Sequence, residues 1–207
     1  MARLNVNPTR MELKKLKARL STAVRGHKLL KDKSDEMVRR FTEIVRKNYK
    51  LRAETERELS ETLRAFSVAR SLVPVNEAEA AFSMPSAPVS AECGVASVMG
   101  VAVPEVSVTA GRGGGLPYAF PEITSEADAA VEQAGKLLPA MIELAVTEKT
   151  MRLLAAEIER NKRRVNALEY VMIPQLEETI AYIKDKLDEN ERAAVVRLMK
   201  VKGKAAE

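Results

Sequence analysis

The chain has 207 residues, a formal net charge of +5, only 4% aromatic residues and no tryptophan. Thick globular cores draw much of their buried area from aromatic side chains, so this composition argues against one and for a thin aliphatic seam between helices. One cysteine, Cys93, rules out an internal disulfide and fits a reducing compartment, with a small packed residue as the expected role.

The polar stretch NPTRMELKKLK follows Arg3 and Asn5, so no signal peptide is expected. Residues 1–72 form an N-terminal segment that reads as one continuous long helix from Thr9 to about Leu72. Thr9 and Glu12 have the spacing of a capping box, and Asn7-Pro8 offers an alternative start with proline at the first helical position. Gly26 is the one poor helix former before Pro74. At about 1.5 Å per residue such a helix would extend roughly 95 Å. Leu13, Leu16, Leu20, Ala23, His27, Leu30, Ser34, Met37, Phe41, Ile44, Asn48 and Leu51 alternate spacings of three and four, the seam of a left-handed coiled coil. Thr55, Leu59, Leu63 and Phe66 continue it with a run of fours, a stutter toward an eleven-residue repeat that unwinds the supercoil locally.

Residues 73–124 change character: prolines and glycines crowd in and charge nearly vanishes. VPVNEAEAAFSMPSAP reads as an irregular or short helical connection. GVASVMGVAVPEVSV has the β-branched content of two short strands, Ala96–Met99 and Val101–Val108, with Pro104 confining them to an edge or bulge. AGRGGGLPYAFPE reads as a loop. Residues 125–207 return to helix, starting at Ser125 and Asp128 and running to about Lys202 before Gly203. Leu137, Met141, Leu144, Met151, Leu154, Ile158, Val165, Leu168, Met172, Leu176, Ile183 and Leu187 form its stripe despite Pro139 and Pro174.

Neither long helix buries its stripe alone, so the expected fold is mainly α: an antiparallel coiled coil of two very long helices, with a small insert of β-hairpin and loops at the turn. With Leu72 level with Ser125, residue i faces roughly residue 197 − i, to within a couple of turns. Helix two then overshoots. Its unpaired tip carries Arg192, Arg197, Lys200, Lys202 and Lys204 beside Val195, Val196, Leu198, Met199 and Val201, and apolar residues on an unpaired tip imply a partner.

Pro174 removes the amide that would bond the Tyr170 carbonyl, and its ring crowds that carbonyl, so a bend is expected there. By the same register it faces Ala23, Val24 and Gly26, which makes Pro174 and Gly26 the candidate shaft bend.

The charge is uneven. Residues 1–72 hold 19 basic against 9 acidic side chains, 73–124 hold 1 against 5, and 125–207 hold 14 against 15. A basic helix attracts nucleic acid, an acidic membrane surface or an acidic protein, and charge alone does not choose. Against nucleic acid, the basic residues occupy most faces outside the seam, and few aromatics are present for base stacking. The most apolar window, 94–104, is too short and glycine-rich to span a bilayer. GRGGG at 111–115 lacks the Gly-Lys-Ser/Thr of a phosphate loop and reads as a flexible turn. His27 is the only histidine and sits on a seam, so no His-based metal site or His-assisted nucleophile can be assembled. Glu177-Glu178, Glu189 and Glu191 lie beside Lys184, Lys186 and Arg192, the pattern of helix-surface ion pairs. No catalytic set, cofactor site or metal site is expected.

The strings RLNVNPTRMELKKLKARLSTAVRGHKLLKDKSDEM at 3–37 and RRVNALEYVMIPQLEETIAYIKDKLDENERA at 163–193 closely resemble the two ends of the D-subunit family of V-type and archaeal-type rotary ATPases. The insert at 73–124 is only loosely similar. The resemblance implies a noncatalytic central rotor axle in the soluble, cytoplasmic sector, peripheral to the membrane. It implies paired termini inside a hexamer of catalytic A and noncatalytic B subunits, the F subunit of the central stalk alongside the shaft, and a funnel-shaped subunit leading to the membrane rotor. On that reading Arg10, Lys14, Arg25 and Lys28, with Arg192, Arg197 and Lys200 of the tip, are candidate hexamer contacts. The rival reading is a basic coiled-coil scaffold for nucleic acid or a membrane surface.

Overall fold

The computed structural model describes residues 4–83, 89–110 and 125–205. Its elements are α1 (Arg10–Leu72), α2 (Val75–Phe82), β1 (Val89–Val98), β2 (Val101–Ala110), α3 (Ser125–Ala167), a π-turn (Leu168–Met172) and α4 (Ile173–Ala205). The fold is therefore mainly helical with a small antiparallel hairpin, as the apolar spacing predicts. Of the predicted loop, Ala110 is the last residue of β2, and the glycine-rich turn at 111–115 and the remainder lie outside the described residues.

The chain divides into two compact units. One combines residues 1–36 with 158–207, and the other is residues 37–157.

In the first unit, α1 starts with Thr9 as its cap, but only half of the predicted capping box forms: the Thr9 amide donates to the Asn7 carbonyl, not to the Glu12 carboxylate, which takes Lys15 instead. The Glu12 amide donates to Thr9 Oγ1 at 3.2 Å, and the Leu13 amide to the Thr9 carbonyl at 3.0 Å. The core is a line of aliphatics: Leu16 and Ala23 from α1 with Leu176, Ile180 and Ile183 from α4, flanked by Leu4, Leu13, Leu20, Leu168, Ile173 and Leu187. The Leu4 amide donates to Thr179 Oγ1 at 3.2 Å, so the segment before α1 lies along α4 as well. Arg10 pairs with Glu191, and His27 Nε2 lies 3.3 Å from Glu169 Oε2. Both pairs fall within about a turn of the predicted antiparallel register.

The sequence-predicted stripe needs correction at Met172, which is 39% exposed while its neighbour Ile173 packs against the core. The cause is the π-turn, where the Ile173 amide donates to the Leu168 carbonyl, five residues back instead of four. The helix continues past Gly203 to Ala205, because one exposed glycine costs only about 1 kcal/mol against alanine and does not by itself end a helix.

In the second unit, the α1 seam holds at Met37, Phe41, Ile44, Asn48, Leu51, Thr55 and Leu59. It then passes through buried Thr62 instead of Leu63, which is 56% exposed, and on to Phe66 and Ala69. The stutter is thus a single eleven-residue step from Leu51 to Thr62. On α3, Ala127, Ala130, Leu137, Thr147, Thr150 and Leu154 are buried, whereas Met141, expected on the stripe, is exposed. The threonines fit a seam because each can close on its own helix: Thr62 Oγ1 donates to the Glu58 carbonyl at 2.8 Å, and Thr147 Oγ1 to that of Glu143 at 2.8 Å. Pro139 lies inside α3 without interrupting it.

Pro74 precedes α2, whose Phe82 ring meets Phe66 edge-on with centroids 5.3 Å apart. The hairpin strands are longer than predicted, and Met99 belongs to the turn. Met99 and Gly100 have φ of 53° and 84°, the two positive values a two-residue type I′ turn requires. Register runs from Val98↔Val101 to Val89↔Ala110. Counting out from the hydrogen-bonded pair that closes the turn, Pro104 opposite Val95 falls on a non-hydrogen-bonded position, so its missing amide leaves no gap in the ladder.

Candidate functional site

Arg10, Lys14, Arg25, Lys28, Arg192, Arg197 and Lys200 are all exposed, as charged side chains on the outer faces of a two-helix seam must be. They divide by environment. Arg10 opens α1 and reaches across to Glu191, one residue before Arg192, so the start of α1 and the base of the tip share one charged cluster. Arg25 Nε donates to the Ser21 carbonyl at 3.3 Å on its own helix.

Beyond Asp188 the helix exposes an apolar face: Val195, Val196, Leu198, Met199 and Val201 are each about half exposed or more. Asp188, Glu191, Arg192, Val195, Val196 and Met199 line a shallow depression along it. Cation, anion and aliphatic side chains thus alternate on a single helix surface, which suits binding to a protein wall better than any chemistry at a reacting atom. Among the described residues, no group of three or more His, Cys, Asp or Glu side chains gathers as metal ligands would. No described helix is long and apolar enough to cross a membrane.

Gly26 is half-buried, and a Cβ built on it would meet nothing within 4 Å. Close approach of α4 therefore does not account for the glycine. Gly26→Ala is expected to stabilise the isolated chain by about 0.5–1 kcal/mol, through helix propensity alone. Thermal unfolding checks this, and a loss of stability would mean that a neighbour does press on that position. Pro174 is half-buried and lies two residues past the π-turn, a feature that apolar spacing read with an α period does not reveal.

The second unit carries further charge across its helix pair. Lys47 Nζ lies 2.7 Å from Glu143 Oε1, and Arg52 Nη1 lies 3.7 Å from Glu148 Oε1. The Arg52 guanidinium is held above its ordinary pKa by its hydrogen bond to Glu56, then by the charges of Glu56 and Glu148. Glu132 is pulled below the ordinary carboxylate value by its hydrogen bond from Lys136, then by that ammonium's charge. Such solvent-exposed pairs are screened by water, add little to stability and mainly orient the helix surfaces. An apolar groove of about 350 Å³ lies in this unit between α1, α2 and α3, with Phe66, Phe82, Leu59, Leu137 and Met141 on its walls.

Comparison with known proteins places these features in context. The family described as the ATP synthase D subunit matches residues 12–203. A V-type ATP synthase D subunit from Clostridium novyi (strain NT) is 50% identical over 206 residues, covering 98% of this chain and 95% of its own length. The protein of the same description from Thermoanaerobacter sp. (strain X514) is 50% identical over 203 residues, covering 98% and 97%. That of Clostridium botulinum (strain Alaska E43 / Type E3) is 50% identical over 206 residues, again covering 98% and 97%.

Proposed function

Because the chain belongs to the ATP synthase D-subunit family, we propose that it is the central-stalk subunit of a V-type ATPase, a rotor shaft carrying torque between nucleotide turnover in a hexamer and ion translocation in a membrane sector. The observation that carries this reading is similarity along both long helices at about half identity, on a chain whose seam is structural and whose tip is exposed and apolar. On this proposal residues 1–72 and 125–207 are the two shaft helices and 73–124 the insert between them. The shaft is noncatalytic, and the complex lies in the cytoplasm, peripheral to the membrane.

Its proposed partners are the catalytic A and noncatalytic B subunits around the paired termini, the stalk's F subunit alongside the shaft, and a funnel-shaped subunit toward the membrane ring. A shaft acts by shape and stiffness. An asymmetric axle presents a different face to each of three catalytic interfaces as it turns, so coupling is steric and electrostatic instead of chemical. Pro174, with Gly26 across from it in the predicted register, is the proposed source of curvature. Arg10, Lys14, Arg25, Lys28, Arg192, Arg197 and Lys200 are the proposed contacts to acidic loops of the bore.

Co-purification tests the assignment: the tagged chain is expected to bring down a small stalk partner and a nucleotide-hydrolysing hexamer. Binding of nucleic acid or acidic vesicles by the chain alone, without such partners, would instead favour a basic scaffold. Reversing Arg10, Lys14, Arg25 and Lys28 together is expected to weaken assembly or rotation-coupled hydrolysis, most strongly at low salt, where exposed charges are least screened. Intact hexamer binding and coupling in the reversed variant would remove these residues from the interface.

A further inference from the structure

The seam of the first unit is out of step by one residue. On α1 the positions Leu13, Leu16, Leu20, Ala23, His27, Leu30 and Ser34 advance by three and four without exception. On the opposite helix Asn161, Val165 and the core aliphatics Leu168, Ile173, Leu176, Ile180, Ile183 and Leu187 mark the seam, with Pro174, Gln175, Thr179 and Lys186 buried or half-buried beside it. The seam residues are spaced four, three, five, three, four, three and four. Shorten the five by one and the heptad is unbroken.

The five spans the π-turn. A π-turn accommodates one residue more than the α-helix it interrupts, and here the surplus is carried on the outer face: Tyr170, Val171 and Met172 are all exposed. Two groups favour this arrangement. Pro174 has no amide, so an uninterrupted α-helix would leave the Tyr170 carbonyl without its partner and would press the proline ring against it. In the π register the Ile173 amide goes to the Leu168 carbonyl instead. From α1, His27 faces Glu169 within the turn at 3.3 Å.

The alternative register has a definite description. With α-helix through Leu168–Met172, the seam would run Leu168, Met172, Gln175, Thr179, Tyr182 and Lys186, each one residue earlier than now. Everything beyond the turn would rotate by about 100° and advance by about 1.5 Å. Half-buried Gln175, Thr179, which is already buried against the Leu4 segment, and exposed Tyr182 would face α1 in place of the aliphatic Leu176, Ile180 and Ile183, which is why the π register is the resting one.

We propose that Leu168–Met172 is a register joint: a place where the second long helix can be wound in by one residue, leaving the seam before it in place and turning a different face of the helix beyond it toward α1, with Pro174 as its lock. What the joint does in a rotating complex rests on the stalk reading, since it would change the face that the tip presents. Its existence does not rest on that reading, and the tests below use the full chain alone.

Deleting Val171 removes the surplus and leaves the present seam continuous, but it sets Pro174 in an α-helical turn, so the deletion combined with Pro174→Ala is expected to stay helical and melt at or above the wild-type temperature. Deleting Glu178 instead puts Ile180, Ile183 and Leu187 one residue too early. It is expected to melt well below wild type, because only the α register at the joint brings those three back and Pro174 opposes that register. Adding Pro174→Ala to the Glu178 deletion should then restore much of the lost melting temperature, while Pro174→Ala alone leaves it near wild type. Circular dichroism melting of the four variants reads each outcome. A Val171 deletion that, with Pro174→Ala, is still as damaging as the Glu178 deletion, or a Glu178 deletion that Pro174→Ala fails to rescue, overturns the proposal.

Discussion

Ile183→Ala is expected to cost the first unit about 2–5 kcal/mol, the range for truncating a fully buried aliphatic side chain. Ile183 has no exposed surface and packs with Leu16, Ala23, Leu176 and Ile180. In a two-helix seam there is no second layer to move into the cavity, so the upper half of that range is expected. The urea midpoint checks it, with Lys184→Ala as the neighbouring control on the exposed face, expected to stay within about 0.5 kcal/mol. Hydrogen exchange should confine the loss to residues 4–36 and 158–205. Equal effects at Ile183 and Lys184 would mean that the phase assigned to α4 is wrong.

Asn48→Leu is expected to have the opposite sign. Asn48 is buried on the α1 seam of the second unit, and its Nδ2 finds no hydrogen-bond partner. A buried donor left unmatched carries a desolvation penalty of about 1–3 kcal/mol, and an apolar replacement of similar size removes it. The thermal midpoint should therefore rise. Polar seam residues are also a way of specifying register, so the same variant is expected to lose some uniqueness of pairing, visible as added species in sedimentation. A lower midpoint would show that the amide is satisfied and that its place on the seam is a stabilising one.

Much of this molecule is legible in its sequence because a long two-helix seam is a one-dimensional problem. The three-and-four spacing from Leu13 to Leu51 assigns every core position on that stretch of α1, and the Thr9–Glu12 spacing locates its start. Legibility fails where adjacent residues compete for one place. Met172 and Ile173 are both apolar, and the choice between them is made two turns further on by Ile180 and Ile183, whose phase connects back to Leu168 only through a five-residue step. Leu63 and Thr62 compete likewise, and there the polar residue wins because Thr62 closes its hydroxyl on Glu58 while the stutter swings Leu63 outward. Hydrophobicity ranks the wrong residue at both places. For the hairpin, β-branched content located the strands but understated their length, and the turn at Met99-Gly100 lacks the Asn-Gly that would have announced it. The proposed contact residues are legible as charge and exposure only, since the surfaces they are proposed to meet belong to other chains.

The five-residue step has a meaning for heredity as well. In a gene for two paired helices, gaining or losing one codon is normally ruinous, since every side chain downstream turns to the wrong face. Loss of one of the codons for Glu169 to Met172 is the mildest such change, because the surplus they encode is already carried on the outside of the turn and the seam stays in phase without it. Single-codon losses among descendants of this gene should therefore collect at those four codons, together with replacement of the Pro174 codon.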